Sequence, residues 1–368
     1  MMTMDFRLGE LFCGAGGLAL GAKDSRVTNS STDFTITPVW ANDYCADACE
    51  TYRKNIGLEH VICSDIADLD MNKLSYVDAL AFGFPCNDFS ELGKKKGFNG
   101  SYGRLYQYCI KALNVFKPRW FLAENVGGLR SADEGTALKI ILQEMADTGY
   151  DIFPNFYKFQ QYGVPQSRQR VIIVGIRRDR NLVFKVPAPL GTQPITCKSA
   201  LENPPIPVDS KNQELTAHAT HVIQRLQHIK PGENAFTADL PEHLRLKVNG
   251  AKLSQIYKRL DPSKPAYTVT GSGGGGTHMY HWDQNRALTN RERARLQTFP
   301  DTFVFQGSKE SVRKQIGMAV PPMGVKVIFE AILKTFACID YKSVEANIAP
   351  IVQGHPQTRL LEVQPVVV

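Results

Sequence analysis

Short apolar runs alternate with amphipathic stretches along the first half of the chain. Apolar runs of roughly four to eight residues are typical of buried strands, whereas apolar positions that recur about every third or fourth residue are typical of helices. Strands are predicted at residues 6–12, 39–42, 61–63, 77–84, 120–123 and 171–176. Helices are predicted from residue 18 and at residues 47–55, 105–116 and 138–148, and the Ser- and Thr-rich segment 23–38 is predicted to be a loop. Strands alternating with helices predict an α/β fold with a doubly wound, mostly parallel sheet.

This alternation stops near residue 187. Prolines cluster between residues 187 and 207, and regular patterning returns only in the predicted helices 291–297 and 325–336. We therefore predict a discontinuous larger domain, residues 1–187 plus 288–345, and a small irregular domain, residues 188–287. Residues 346–368 are predicted to be a loosely held C-terminal tail, because the end of the chain carries almost no charge.

Candidate ligand-binding groups follow the first three predicted strands. A glycine turn, residues 12–17, follows the first strand, and glycines let a ligand approach the backbone at a helix N-terminus. Asp43 ends the second strand, where a carboxylate can hold a ribose, and Asp65 follows the third, within reach of an adenine amine. Ala19 stands where the pattern G-x-G-x-x-G requires its third glycine, which disfavours a nicotinamide-dependent dehydrogenase. Together these strand ends predict a nucleoside-binding site.

A cysteine and a carboxylate follow the next two strands. Cys86 comes after a stiff proline and before polar residues, whereas a cysteine without a chemical role is usually a small buried apolar residue. Glu124 ends an apolar strand, where a carboxyl group is unfavourable unless it has a partner or a function. A thiolate that adds to carbon 6 of cytosine makes carbon 5 nucleophilic, and a carboxyl group at ring nitrogen 3 stabilises the developing charge. The pair therefore favours chemistry at carbon 5 of cytosine.

Charge and cysteine content narrow the class of protein. The net charge is +7, with basic clusters at residues 168–180, 286–295 and 94–96. Such clusters are either solvated or in contact with phosphates, and their position beside the candidate motifs favours phosphates. The eight cysteines form no C-x-x-C pair, so neither a disulfide framework nor a metal site is predicted. A zinc site among His218, His221, His228 and His243 is disfavoured for the same reason. No apolar run is long enough to span a membrane, and a cytoplasmic protein is expected.

The motifs over residues 6–340 resemble those of the DNA (cytosine-5) methyltransferase family, in its prokaryotic restriction–modification form. Residues 11–18 resemble the first cofactor motif, residues 78–90 the Pro-Cys motif, Glu124-Asn125-Val126 the ENV motif, residues 162–170 the Q-x-R-x-R motif, residues 259–270 the motif that braces the recognition domain, and residues 286–322 the closing block. There are two departures from the family pattern. Asn87 follows Cys86 where Gln is common, and Met318 replaces the usual Asn of the closing block.

The resemblance implies a reaction and a set of site residues. The implied reaction is methyl transfer from S-adenosylmethionine, leaving S-adenosylhomocysteine, to a flipped cytosine in double-stranded DNA, with no metal. The implied catalytic residues are Cys86 as nucleophile, Glu124 as acid, and Arg168 and Arg170 at the target nucleotide. The implied cofactor residues are Phe12, Gly14, Gly16, Gly17, Leu18, Asp43, Asp65, Ile66, Pro85, Met318 and Ala319. The implied DNA contacts are Asn87, Ser90, Lys95, Gln166 and Thr268, and residues 87–103 resemble the family's mobile loop.

Two alternatives stay open at the level of sequence. One is an RNA cytosine methyltransferase of the same fold, and the other is a DNA-binding homologue without activity. The resemblance also implies a monomer that works beside a cognate restriction endonuclease, with 188–287 as a target-recognition domain for a short, GC-rich palindrome. Within the arginine cluster, Arg168 and Arg170 are expected to point into the cleft. Arg177, Arg178 and Arg180 follow the strand and are expected to be solvated.

Overall fold

The structure is a computed structural model that describes residues 2–84, 105–247 and 254–353. The strands are β1 Met2–Leu11, β2 Arg26–Thr28, β3 Thr32–Asp43, β4 Val61–Cys63, β5 Ala79–Gly83, β6 Trp120–Val126, β7 Tyr150–Lys158, β8 Gln166–Ser167, β9 Gln169–Arg177, β10 Val186–Pro187, β11 Ala266–Tyr267 and β12 Ser343–Val344. The main sheet has the order β2-β3-β1-β5-β6-β9-β7, with β4 also paired to β3. The pairs β3–β4, β3–β1, β1–β5 and β5–β6 are parallel. The pairs β2–β3, β6–β9 and β9–β7 are antiparallel.

Helices cover both faces of this sheet. The α-helices of the described residues are α1 Gly17–Lys23, α2 Ala46–Ile56, α3 Tyr106–Phe116, α4 Thr136–Asp147, α5 Cys197–Glu202, α6 Thr220–Gln227, α7 Asn290–Leu296, α8 Lys309–Met318 and α9 Pro322–Phe336. On one face α1 and α9 pack in a core with Phe6 and Trp120. On the other face α3 and α4 pack with Phe82 and Phe121. The doubly wound, mostly parallel α/β prediction is therefore confirmed.

The predicted loop at residues 23–38 is wrong, because β2 and most of β3 lie there. Phe34 and Ile36 are buried in the core, while the intervening threonines face outward. The hydroxyls of Thr35 and Thr37 each donate to the Asp5 carboxylate at 2.8 Å. Threonine is β-branched and suits a pleated surface, so a Thr-rich segment can be a strand with one polar face. The antiparallel strand β7 and the helix α8 were also not predicted.

The segment 188–287 contains a small core of its own. Val222, Leu226, Tyr257 and Tyr280 are among the buried residues of this core. Other parts of the segment, including α5, pack instead with α2 and α7 in a core shared with the larger domain. The predicted boundary stays a prediction, and the part with an independent core is smaller than the predicted domain.

Residues 346–353, expected to begin a loose tail, are docked against β7. Ile351 forms an antiparallel bridge with Ile152, with N–O distances of 2.8 and 2.9 Å in the two directions. The Asn347 and Gln353 N–H groups donate to side-chain oxygens on the same strand at 3.0 and 2.9 Å. These bonds cover part of the free edge of β7.

The stretch Lys309–Phe336 is the one part of the described chain that is long and apolar enough to cross a membrane. It comprises α8 and α9, and 67% of its most apolar window is buried inside the protein. Its apolar residues, such as Phe329 and Ile332, pack against the sheet. This burial indicates that α8 and α9 are core helices of the fold.

Candidate active site

The predicted site residues lie at one edge of the sheet. Strands β1, β3, β4, β5 and β6 are parallel, so their carboxyl ends lie side by side. The register places Asp43 opposite Cys63, Leu11 opposite Phe82, and Gly83 opposite Glu124. Ligands of open α/β sheets bind outside this edge. The structure therefore brings the predicted nucleoside groups and the predicted acid together.

The glycine turn after β1 is tied to Asp43. The Gly14 N–H donates to Asp43 Oδ2 at 2.8 Å, and the Cys45 N–H donates to Oδ1 at 2.9 Å. Burial raises the pKa of Asp43, and these backbone donors oppose the shift. Gly14 has a φ of +52° and no atom within 4 Å of the position of a Cβ, so the turn faces open space there. Phe12 precedes it with a φ of +54°.

The other glycines of the turn serve packing. A Cβ on Gly17 would lie 2.4 Å from the Val320 carbonyl oxygen, and one on Gly16 would press on the Tyr52 ring. Leu18 is buried in the core. Only Gly14 therefore offers room for a ligand, whereas Gly16 and Gly17 let α1 approach α2 and the closing block.

A buried carboxyl group beneath the turn was missed by sequence reasoning. Glu10 lies within β1 and is 1% exposed, and the Tyr52 hydroxyl donates to its Oε2 at 3.0 Å. Burial raises the pKa of Glu10 to about 8, so the group is mostly neutral at pH 7. An acidic residue inside an apolar strand was the available signal, since it needs a buried partner.

Two further exposed groups follow β3 and β4 at this edge of the sheet. Tyr44 directly follows Asp43 and is 67% exposed, which is unusual for a large aromatic ring. Asp65 is exposed after β4, and its Oδ1 accepts the Ala67 N–H at 2.9 Å while Ile66 is buried. An exposed ring directly after a strand-end carboxylate can stack on a flat heterocycle. Sequence reasoning missed Tyr44, although an aromatic residue directly after a strand-end carboxylate was visible.

Glu124 and Arg170 form a buried ion pair. Arg170 Nε lies 2.7 Å from Glu124 Oε1, and both side chains are about nine-tenths buried. Burial lowers the pKa of Arg170, and the neighbouring carboxylate opposes that shift. Asn125 Nδ2 donates to the Phe84 carbonyl at 3.1 Å and so fixes the end of the described chain before Pro85. The predicted residues Pro85, Cys86, Asn87, Ser90 and Lys95, and the loop 87–103, lie outside the described residues.

Two residues expected to face the substrate are buried supports instead. Arg168 is fully buried and donates to the carbonyls of Val269, Gly317 and Ala319 at 3.0, 3.0 and 2.9 Å. Gln166 is also fully buried, and its Oε1 accepts the Val269 N–H at 3.0 Å. The expectation that Arg168 points into the cleft is corrected, and the predicted DNA contact of Gln166 lacks an exposed side chain. Both side chains are drawn into the interior because the buried backbone groups of Val269, Gly317 and Ala319 require hydrogen-bond partners.

The remaining predicted residues, Thr268, Met318 and Ala319, lie where the closing block meets the segments around residues 168 and 269. Thr268 is half-buried and donates to the Ser167 carbonyl at 2.9 Å. Ala319 uses its carbonyl to accept from Arg168 and from Gln297, the latter at 2.8 Å. Met318 is 59% exposed and lies beside Gly271. The Met318 side chain therefore faces outward, where the family has Asn.

The arginine cluster is divided by β9, as predicted. Arg170 lies opposite Val126 at the site edge, whereas Arg177 lies opposite Tyr150 at the other edge. The later arginines are nevertheless held by the protein rather than merely solvated. Arg177 and Arg180 pair with Asp179, and Arg178 donates to the Ala146 and Tyr150 carbonyls at 2.8 and 3.1 Å.

Histidines within residues 188–287 make structural contacts. His218 Nε2 accepts the Ala287 N–H at 3.0 Å, and His281 Nδ1 accepts the Asp283 N–H at 3.1 Å. Burial lowers the pKa of His281 to about 4, which keeps the ring neutral at pH 7. Within residues 2–84, 105–247 and 254–353, no group of three His, Cys, Asp or Glu side chains has the arrangement of a metal site.

Comparison with known proteins identifies the family. The model of the C-5 cytosine-specific DNA methylase family matches residues 6–334. The chain belongs to this family. Among its relatives, the Type II methyltransferase M.BbvI of Brevibacillus brevis is 53% identical, over 94% of this chain and 95% of the relative. M.NgoFVII of Neisseria gonorrhoeae, also a Type II methyltransferase, is 40% identical over 92% and 89%. The DNA (cytosine-5-)-methyltransferase M.ApeKI of Aeropyrum pernix is 30% identical over 90% and 98%.

Solved structures of lower identity share the fold of this methylase. A putative DNA modification methyltransferase encoded within an Escherichia coli prophage has a TM-score of 0.69 at 22% identity. The match covers 90% of this chain and 99% of the prophage protein. The Dnmt2 methyltransferase of S. pombe has a TM-score of 0.54 at 17% identity, with coverage of 89% of this chain and 98% of that one.

We expect the buried Arg168 to stabilise the methylase, and Arg168→Met tests this. Methionine fills much of the space but removes the Arg168 donor from three carbonyl oxygens, of which that of Ala319 keeps its second donor, Gln297. We expect a loss of about 2–4 kcal/mol in the free energy of unfolding. Urea denaturation measures this loss. The matched control is Arg180→Met, which removes an arginine from a partly exposed ion pair and should cost less than about 1 kcal/mol. Equal unfolding midpoints for the two variants would contradict the supporting role of Arg168.

Proposed function

We propose that this methylase transfers the methyl group of S-adenosylmethionine to carbon 5 of cytosine in double-stranded DNA, as the protective enzyme of a restriction–modification system. The observation that carries the proposal is the buried Glu124–Arg170 pair beside the strand that leads into Pro85 and Cys86. The relatives named as Type II methyltransferases and as a DNA (cytosine-5-)-methyltransferase favour DNA over RNA and favour an active enzyme.

The groups around the glycine turn fit an adenosyl cofactor. Gly14 leaves open space at the backbone, and the half-buried Asp43 carboxylate stands beside it to accept ribose hydroxyls. The exposed Tyr44 ring provides a face for adenine, and Asp65 provides an acceptor for its amine. Bound there, S-adenosylmethionine supplies an electrophilic methyl group. Ala319 follows α8, and its Cβ lies 3.4 Å from the position of a Cβ on Gly17. Ala319 and the outward-facing Met318 are further proposed cofactor residues.

Cys86 and Glu124 are the proposed catalytic residues. The Cys86 thiolate forms a bond to carbon 6 of the flipped cytosine, which raises the electron density at carbon 5. Glu124 is held on one carboxyl oxygen by Arg170, so the other oxygen is left for ring nitrogen 3, where it assists protonation. After carbon 5 is methylated, a proton leaves that carbon, and the bond between sulfur and carbon 6 breaks.

The remaining parts of the proposal concern DNA and the cell. Residues 188–287 are the proposed target-recognition domain, and the small core formed within residues 222–287 supports this proposal. A short, GC-rich palindrome is the proposed target. We further propose a cytoplasmic monomer whose methylation protects DNA from a cognate endonuclease, in line with the Type II names of its relatives.

Covalent trapping tests the nucleophile. DNA that contains 5-fluorocytosine should form a stable adduct with the wild type, because fluorine cannot leave carbon 5 as a proton does. We expect no adduct and no methyl transfer with Cys86→Ala, while DNA binding persists. Denaturing electrophoresis detects the adduct. Cys338→Ala changes an exposed cysteine and should trap normally, whereas an adduct formed by Cys86→Ala would show that another residue attacks the ring.

Glu124→Gln tests the acid. A positioned acid or base typically contributes about 10²–10⁴-fold to a rate, and the amide cannot share a proton with ring nitrogen 3 in the same way. We expect a loss of methyl-transfer rate in that range, measured with radiolabelled cofactor, with little change in cofactor affinity. Glu59→Gln removes an exposed carboxylate and should keep the wild-type rate. A rate near wild type for Glu124→Gln would falsify the assignment.

Asp43→Asn tests the cofactor pocket. The amide keeps the volume of the carboxyl group but loses its charge, so we expect weaker binding of S-adenosylhomocysteine by about 1.5–3 kcal/mol. Calorimetry measures the affinity directly. Asp5→Asn alters an exposed carboxylate on the same sheet and serves as the control. If Asp43→Asn binds as tightly as the control, the ribose is held elsewhere.

A further inference from the structure

Arg130 lies close to the candidate active site with its guanidinium over an aromatic ring. It ends the short 3-10 helix Gly127–Arg130, which directly follows β6 and its Glu124. The Arg130 Cζ atom is 4.5 Å from the centre of the Phe156 ring. A guanidinium at this distance is attracted to the ring face, so the ring restrains its position without using its N–H groups.

The Phe156 ring is itself fixed in place. Phe156 lies opposite Val171 in the pairing of β7 with β9. Its N–H donates to Asn347 Oδ1 at 2.8 Å, and its carbonyl accepts from Asn347 Nδ2 at 3.0 Å. A Cβ on Gly127 would lie 2.9 Å from the ring, so the helix that carries Arg130 begins directly against it. The ring is therefore a rigid support for the arginine.

The Arg130 guanidinium is exposed, and it forms no hydrogen bond or ion pair with any residue in the described ranges. The arginines in β9 and directly after it differ in this respect. Arg170 is paired with Glu124, Arg177 is paired with Asp179, and Arg178 is bonded to backbone carbonyls. Arg130 therefore combines an oriented side chain with N–H donors that are available to a ligand.

Contacts link Arg130 to the catalytic carboxyl group. A Cβ on Gly127 would lie 3.7 Å from the Gln169 carbonyl oxygen, which accepts from Arg170 Nη1 at 2.7 Å. Arg170 in turn holds Glu124. The ring and its arginine therefore lie at the same sheet edge as the group that acts on the base. Under the proposed function, the anion brought to that edge is the backbone of the strand that carries the cytosine.

We propose that Arg130 binds a phosphate of the DNA strand next to the target cytosine, and that Phe156 orients it for this contact. The planar guanidinium matches two phosphate oxygens, and stacking reduces the entropy lost when the contact forms. This inference rests on the proposed function, since it takes double-stranded DNA as the substrate. It makes Arg130 a positioning residue, because the phosphate contact holds the strand while other residues act on the base.

Salt-dependent binding tests the contact. The full chain is titrated with fluorescently labelled duplex DNA in the presence of S-adenosylhomocysteine over about 50–200 mM salt. Loss of one phosphate contact lowers the slope of log affinity against log salt by about 0.9. We expect this decrease for Arg130→Met, whose side chain can still pack on Phe156. Arg130→Lys should keep most of the slope but bind more weakly, because an ammonium group cannot stack or engage two oxygens together.

Two further variants separate the contact from net charge and from folding. Arg180→Met makes the same change in charge after the far end of β9 and should keep the wild-type slope. Phe156→Leu keeps the arginine but removes its support, and it should raise KM for DNA with little change in kcat. Urea denaturation confirms that each variant is folded.

The possible results distinguish this inference from the proposed function. Wild-type slope and affinity for Arg130→Met would overturn the contact, and so would an equal decrease for Arg180→Met. A wild type that neither methylates DNA nor forms the 5-fluorocytosine adduct would instead refute the proposed function. In that case a lower slope for Arg130→Met alone would still support the phosphate contact.

Discussion

The structure depends on the way the Arg168 guanidinium joins separate parts of the chain. Its three backbone acceptors lie 101, 149 and 151 residues away in sequence. A buried cation without a carboxylate is normally very unfavourable, and burial does lower the pKa of Arg168. Carbonyl dipoles from two segments, one at Val269 and one at Gly317 and Ala319, compensate for the lost water, and the guanidinium supplies these acceptors with donors. The buried guanidinium and the buried carbonyl groups therefore each depend on the other for hydrogen bonds.

The same principle recurs around residues 188–287. Arg259 is buried and donates to the His281, Gln284 and Leu226 carbonyls. Arg291 is fully buried and donates to the Lys211 and Pro300 carbonyls, both at 3.0 Å. Guanidinium groups suit this task because their fixed planar donors reach several acceptors at once. A segment whose described α-helices and strands are only α5, α6 and β11 is thereby held together by Arg259 and joined to α7 by Arg291.

The strand ends were predictable, because buried strands and the groups that follow them are local patterns. Asp43 and Glu124 were found in this way, and the parallel register brings them to one edge. The orientation of Arg168 was not predictable, since a Q-x-R-x-R spacing contains no information about distant carbonyls. The pairing of Phe156 with Arg130 and Asn347 is equally non-local. The predicted loop at residues 23–38 failed for a different reason, because threonine content resembles that of loops until its alternation with Phe34 and Ile36 is considered.

The docking of residues 347–351 on β7 has a consequence for solubility. β7 is the last strand on its side of the sheet, and an uncovered edge strand presents unpaired N–H and carbonyl groups to any other extended chain. Asn347 and Ile351 occupy such groups at Phe156 and Ile152. Residues 347–351 thus block part of the edge of β7 and hinder edge-to-edge association. This reduces the tendency of neighbouring copies to extend the sheet into an aggregate.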